Sequence, residues 1–164
     1  MMKTDALMVL FLSTGNAARS ILAEALLRHK GGARFTARSA GYRCLPQVFP
    51  QTLAILSGAG IPTDGLHPKG WGEFLASAHF LKPDVIVTLS EEARAYCPTW
   101  PDAPVRVHWG VDDPFSAAAP DVQEWKFRKC FATLESRINE LIKMRPAQNT
   151  AELLLQLKNI ATVV

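Results

Sequence analysis

No stretch of this 164-residue chain comes near the ~20 consecutive apolar residues that a membrane-spanning helix needs. The N-terminal MMKTDALMVLFL has too short an apolar core, and no small-residue cleavage site, for a signal peptide; a buried first strand and a cytoplasmic protein are expected. Cysteine is scarce. Cys44, Cys97 and Cys130 are odd in number and widely spaced, which fits neither a secreted disulfide framework nor a CxxC metal pair. The four histidines show no HxxxH spacing, so no metal site and no cofactor is expected. No block of five or more like charges occurs, and a net charge of +3 falls short of a nucleic-acid signature. Neither nucleic acid nor a membrane is therefore expected as a partner, although the mild positive charge favours small anions a little. What is present, 48% hydrophobic and 20% charged residues, suits one globular domain over residues 1–164 with a sizeable core.

ALMVLFL (residues 6–12) is continuously apolar, as a strand covered on both faces would be. Apolar residues then recur at helical spacing from Ser20 to about His29, and Gly31-Gly32 ends that helix. RFTARSAG alternates like a strand, PQTLAILSGAG reads as a helix opened by Pro50, and GWGEFLASA as a shorter, weaker one. PDVIVTLS repeats the first apolar pattern and ends in Ser90; APVRVHW is a fourth strand. After a loop at residues 110–121, VQEWKFRKCFATLESRINELIK gives a long amphipathic helix, and a last helix is expected over 150–162. Its leucines suit packing on the domain's own core or docking on a partner. Strands alternating with helices predict an α/β fold, a four-stranded parallel sheet flanked by helices. Ligands in such sheets sit beyond the C-terminal strand ends, which here points to Ser13 and Ser90.

The segment VLFLSTGNAARSILAEALL (residues 9–27) runs from strand through a short loop into a helix. Such a loop can turn successive amides inward as a nest for a tetrahedral oxyanion, and the helix start adds orphan N–H donors. Gly15 permits a positive φ, Asn16 tolerates a left-handed conformation, and Arg19 offers a planar two-oxygen fork. Ser20 can cap the helix or turn its hydroxyl into the loop. The Gly-Asn pair alone fits an ordinary turn equally well, and the Walker spacing is absent.

The whole string Ser13-Thr14-Gly15-Asn16-Ala17-Ala18-Arg19-Ser20 resembles the C-x5-R-S loop of low-molecular-weight protein tyrosine phosphatases, and most closely that of their thioredoxin-coupled arsenate reductase relatives. SILAEALL, SAG (Ser39–Gly41), CPTWP and HWGVDDP follow in order, so the likeness spans nearly the whole chain. It implies the low-molecular-weight phosphatase type of fold (phosphatase-like I). It also implies a small oxyanion as ligand (arsenate, phosphate or sulfate), with thioredoxin as the partner of active relatives and arsenical resistance as their setting. Ser13 stands where the family has its nucleophilic cysteine. Arg19 would be the clamp, the loop Thr14–Ser20 the oxyanion cradle, and Ser39 a brace for Asn16. Asp113, before Pro114, would be the general acid, with an ordinary surface turn as the plain alternative; His108 and Trp109 would shape its loop. The reductases' redox relay, resembling C-x6-C-P, maps onto Ser90 and Cys97, so only its second cysteine is kept. Ser90-Glu91-Glu92 also departs from the Cys-Asp-Asn-like run of the reductases, a drift that points to a natural lineage without redox chemistry; the alternative is a pair of cysteine-to-serine changes made in the laboratory to trap a ligand.

A helix N-terminus and an arginine can bring a thiol from ~8.5 to below 7. An alcohol lies nearer water's ~15.7, and each further unit costs about 1.36 kcal/mol. A serine also cannot close a disulfide. Chemistry is therefore expected to be impaired or lost while oxyanion binding persists, as in a pseudoenzyme; the alternative is a dedicated oxyanion- or phosphopeptide-binding module, a sensor or sequestering protein. The aromatic residues that would favour a phosphopeptide (Tyr42, Phe49, Trp71) are not placed by sequence alone.

Overall fold

The computed structural model describes residues 6–76, 82–115 and 119–164. In chain order these form β1 (Leu7–Ser13), α1 (Arg19–Lys30), a 3-10 turn (Gly32–Arg34), β2 (Phe35–Gly41), α2 (Pro50–Gly58), α3 (Trp71–Ala76), β3 (Val85–Thr88), α4 (Glu91–Tyr96), β4 (Val105–His108), α5 (Pro120–Lys143) and α6 (Thr150–Ile160). The four strands pair in parallel in the order β2-β1-β3-β4, the expected four-stranded sheet flanked by helices.

The apolar runs of β1 and β3 are unbroken because helices cover both faces of the sheet. Val9, Phe11, Val85, Val87 and Val107 pack on one side with α1, α5 and α6, whereas Leu10, Leu12, Ala40 and Ile86 meet Phe74, Ala93 and Trp100 on the other. Residues 20–27 of α1 are all buried, so that helix runs through the core and carries one charged residue, Glu24, into it. On α5 the buried residues Phe127, Cys130, Leu134, Ile138 and Leu141 recur every three or four positions, the stripe of an amphipathic helix. In α6, Leu157 and Ile160 point inward, and the Leu157 carbonyl accepts a hydrogen bond from the Trp109 indole (3.0 Å). The last helix thus packs on its own core.

α6, α5 and α4 depart from expectation. α6 ends at Ile160 rather than at residue 162, because Ala161 and Thr162 turn back onto Leu157 and Asn159. α5 starts at Pro120, where a proline suits the first turn. α4 is an element for which the sequence offers no periodic signal, being six residues long with only Ala93 buried. Residues 77 and 78 of the expected GWGEFLASA helix lie outside the described residues. Among the described residues no helix is long and apolar enough to cross a membrane. β1 and β3 are direct neighbours, with Leu12 opposite Thr88, so the segments leaving their C-terminal ends, Ser13 onward and Ser90 onward, emerge side by side.

Candidate functional site

The loop between β1 and α1 turns its carbonyls outward. Those of Ser13, Thr14, Gly15 and Ala17 accept the amides of Tyr42, Arg43, Leu45 and Phe49 at 2.8–3.2 Å, and Ala17 also accepts the Thr52 hydroxyl. The segment after β2 therefore acts as a frame around the loop. The amides of Gly15, Ala17 and Ala18, by contrast, reach no backbone acceptor among the described residues. Ala18, the N-cap of α1, supplies no side-chain cap, and no acidic residue stands in the first turn. Orphan donors and an uncompensated helix start together make an anion-favouring end.

Asn16 sets the curvature. Its φ of 52° is the left-handed conformation, while Gly15 has none; the positive φ expected at Gly15 sits one residue later. Gly15 matters for space, since a Cβ there would come within 3.2 Å of the Leu45 side chain. The fully buried Asn16 amide donates to Ser20 Oγ (2.7 Å) and to Ser39 Oγ (2.9 Å), and its Oδ1 accepts the backbone N–H of Lys69 (2.9 Å). Ser39 is thus the brace for Asn16. Lys69 is a partner that sequence reasoning misses. Its ammonium stands 3.9 Å from the fully buried carboxylate of Glu24, which also pairs with Arg28 at 3.2 Å. Burial pushes the Glu24 carboxyl above the usual range against the pull of Lys69 and Arg28, and burial pulls the Lys69 ammonium down.

Ser13 is 2% exposed, at the floor of the loop. Its hydroxyl lies 2.5 Å from Ser20 Oγ and accepts the Asn16 amide at 3.3 Å. Among the described residues neither a histidine nor a carboxylate bonds to it, so the base that serine nucleophiles rely on is not at hand. Ser20 sits within α1 and turns its hydroxyl into the loop instead of capping the helix. Thr14 donates through Oγ1 to Ser90 Oγ at 2.9 Å, and Ser90, the N-cap of α4, also accepts the Ala93 amide at 3.1 Å. Ser90 therefore ties the loop to α4. Cys97 lies at the other end of that helix, about 10 Å away at 1.5 Å per residue, with its thiol on the Pro98 carbonyl. The two relay positions are not brought together, and a bridge between such positions needs the helix to rearrange. Cys130 is buried beneath the Asp113 loop with its thiol pushed up to about 12 by desolvation, and Cys44 is exposed.

Arg19 lies across the mouth, 11% exposed in its side chain. One guanidinium nitrogen donates to the Val111 carbonyl (3.0 Å) and the other stands 3.7 Å from Asp113. Asp113 belongs to the turn after β4, where its Oδ1 accepts the Phe115 amide (3.0 Å). His108 helps set that turn by bonding Thr88 through Nδ1 (2.8 Å) and Glu91 through Nε2 (3.0 Å). Loop residues 13–19, Arg43, Leu45, Phe49, Glu92, Asp113 and Phe115 enclose a cavity of about 550 Å³. Phe49 and Phe115 stack face to face along it, 4.3 Å apart and 5° from parallel. Of the aromatic candidates, Phe49 therefore lines the site, whereas Tyr42 and Trp71 form a separate cluster with Tyr96. Phe115 and Arg43 carry no local motif that would reveal them. Among the described residues no three His, Cys, Asp or Glu side chains gather to hold a metal ion.

Residues 8–152 match the family described as low molecular weight phosphotyrosine protein phosphatase. The arsenate reductase of Halalkalibacterium halodurans is 31% identical over 131 residues, covering 79% of this chain and 91% of that protein. That of Brevibacillus brevis is 35% identical over 115 residues, 70% and 82% of the two chains. Among solved structures, the thioredoxin-dependent arsenate reductase of Corynebacterium glutamicum superposes with a TM-score of 0.67 at 26% identity, covering 87% of this chain and 63% of that one.

Proposed function

The chain belongs to the low molecular weight phosphotyrosine protein phosphatase family, and from that premise we propose that it binds a tetrahedral oxyanion in the loop Ser13–Ser20 while Ser13 blocks the family's chemistry. One observation carries the reading: the loop's carbonyls are turned out onto the 42–49 segment, while the amides of Gly15, Ala17 and Ala18 and the start of α1 are left to meet an anion. Arg19 takes two oxygens of that anion with its fork, exchanging the Val111 carbonyl for them. Asn16, held by Ser20, Ser39 and Lys69, keeps the cradle curved whether or not it is filled.

The block is one of acidity. A cysteine at this position would be ionised by the helix start and Arg19; the Ser13 hydroxyl would need ~10 kcal/mol more, from about seven units at ~1.36 kcal/mol each. In this reading Asp113, at the rim beside Arg19, is the group that protonates a leaving oxygen and not one that deprotonates Ser13, and its ion pair with Arg19 supports that role. Arsenate reduction is blocked a second time, because neither Ser13 nor Ser90 can enter a disulfide. Inorganic arsenate, phosphate and sulfate share the tetrahedral chemistry of the site.

A second reading, an aryl phosphate or phosphotyrosine peptide held without cleavage, is favoured by the Phe49–Phe115 stack along the cavity. An aromatic ring beside a stacked pair gains about 0.5–1.5 kcal/mol, up to roughly tenfold in affinity over inorganic phosphate. The test of the reading is turnover of p-nitrophenyl phosphate by the chain and by Ser13→Cys. Hydrolysis by the variant alone is the expected result; comparable turnover by the unchanged chain would refute the block. Competition between phenyl phosphate and inorganic phosphate separates the two ligand readings.

A further inference from the structure

Arg137 lies on α5 and is only 8% exposed, yet among the described residues its acceptors are backbone carbonyls. Nε donates to Val163 (3.0 Å), and Nη1 donates to Trp109 and, at 3.4 Å, to Gly110. Taking a guanidinium out of water is expensive, and an aliphatic residue would fill the same space against the core. What the guanidinium does there is grip the segment that leads from β4 to Asp113. That segment is held on its other side by Arg19, which donates to the next carbonyl, Val111. Further along, Gln123 donates to the Pro114 carbonyl. Gln123, Cys130 and Arg137 are spaced seven apart on α5 and form one buried stripe beneath the loop.

We propose that Arg137 is a positioning residue for the Asp113 loop, holding the 109–110 carbonyls so that the loop keeps its place when Arg19 leaves Val111 to grip an anion. The inference rests on the roles of Arg19 and Asp113 in the function proposed above, and it goes beyond that function. In the free chain Arg19 divides its fork between Val111 and Asp113. An anion bound by both nitrogens removes that tie and leaves the loop to its contacts with α5, which in a chain carrying Ser13→Cys must then keep Asp113 in register. Arg137 and Gln123, on the side away from the cavity, keep their bonds throughout. The Val163 carbonyl under Nε makes the last residues of the chain part of the same support.

The experiment uses the full chain carrying Ser13→Cys, with and without Arg137→Lys, which keeps the charge but loses the fork. In this background the thiolate introduced at position 13 attacks phosphorus, the P–O bond to the phenol oxygen breaks, and that oxygen takes its proton from the Asp113 carboxyl. Phenyl phosphate, whose phenolate is a poor leaving group, needs that proton; p-nitrophenyl phosphate needs it far less. Arg137→Lys is expected to lower kcat/KM for phenyl phosphate about 10- to 100-fold, and that for p-nitrophenyl phosphate only about threefold or less, with phosphate inhibition unchanged. Equal losses on both substrates, or none on either, would overturn the proposal. Arg137→Ala adds a second readout: a cavity of about 420 Å³ beside Asp112, Cys130 and Arg137 gives methylguanidinium a way in, and recovery of phenyl phosphate turnover is expected. A Ser13→Cys chain that hydrolyses neither substrate would instead refute the function proposed above. Amide exchange in the unchanged chain would then still decide the role of Arg137, with faster exchange at 109–113 but not at 14–20 expected for Arg137→Lys and uniform exchange overturning it.

Discussion

Asn16 is the residue on which the loop turns, and Asn16→Ala measures how much the turn is worth. The substitution removes three hydrogen bonds and leaves the Ser39 hydroxyl and the Lys69 amide without their partner inside the protein. Each buried group left unpaired costs about 1–3 kcal/mol. A left-handed φ adds roughly 1 kcal/mol for alanine, which lacks asparagine's tolerance of it. The sum is about 3–7 kcal/mol of global stability, read by urea unfolding with the slope unchanged. Asn16→Gly loses the same bonds but keeps the left-handed turn, so it should be about 1 kcal/mol milder than the alanine variant. A loss below ~1 kcal/mol for alanine, or a glycine variant no better than alanine, would refute the assignment of the φ of 52° and the three hydrogen bonds to the loop's stability.

The Glu24–Lys69 pair predicts two deficits with opposite pH slopes. Lys69→Met removes an attraction that opposes the burial of Glu24, so the carboxyl's folded value rises further above 4.5. The variant should lose stability as pH climbs from 4.5 through that raised value, with a deficit of about 2–3 kcal/mol at pH 8, because Arg28 still contacts Glu24. Glu24→Gln leaves Lys69 buried without its carboxylate, so its deficit should shrink as pH rises toward 10.5, where the ammonium is lost in the unfolded chain as well. Thermal unfolding across pH checks both, and parallel slopes would contradict them. Ser90→Ala strips α4 of its cap and Thr14 of its acceptor, which should cost about 1–2 kcal/mol in urea unfolding. A Ser90→Cys variant should not bridge spontaneously to Cys97 under mild oxidation, since the two lie at opposite ends of α4; a ready disulfide in mass analysis would show that α4 unwinds easily.

Much of the fold is legible in the sequence because burial on both faces writes strands as unbroken apolar runs, as in ALMVLFL and DVIVTLS, while α5 announces itself through its stripe. α4 escapes for the opposite reason: six residues with a single buried side chain leave no period to detect. The site divides in the same way. Ser13, Asn16, Arg19, Ser20, Ser39 and Asp113 sit in local motifs and do converge, but the frame around them comes from elsewhere in the chain. The amides of residues 42–49 and of Lys69 act through the backbone, and a backbone contact leaves no mark on residue type. Glu24 did leave one, as the single charge among the buried positions of α1. The need for glycine at position 15 comes from the Leu45 side chain above it and not from a positive φ, which falls at Asn16, and no local pattern contains that contact.

The most direct measurement is calorimetric titration of the unchanged chain with arsenate and with phosphate at neutral pH, beside the Arg19→Ala variant. Saturable one-to-one binding that the variant loses is the predicted result, since the amide nest alone lacks the fork that takes two oxygens. Absence of binding to the unchanged chain, or binding that Arg19→Ala leaves intact, would contradict an oxyanion site in the Ser13–Ser20 loop.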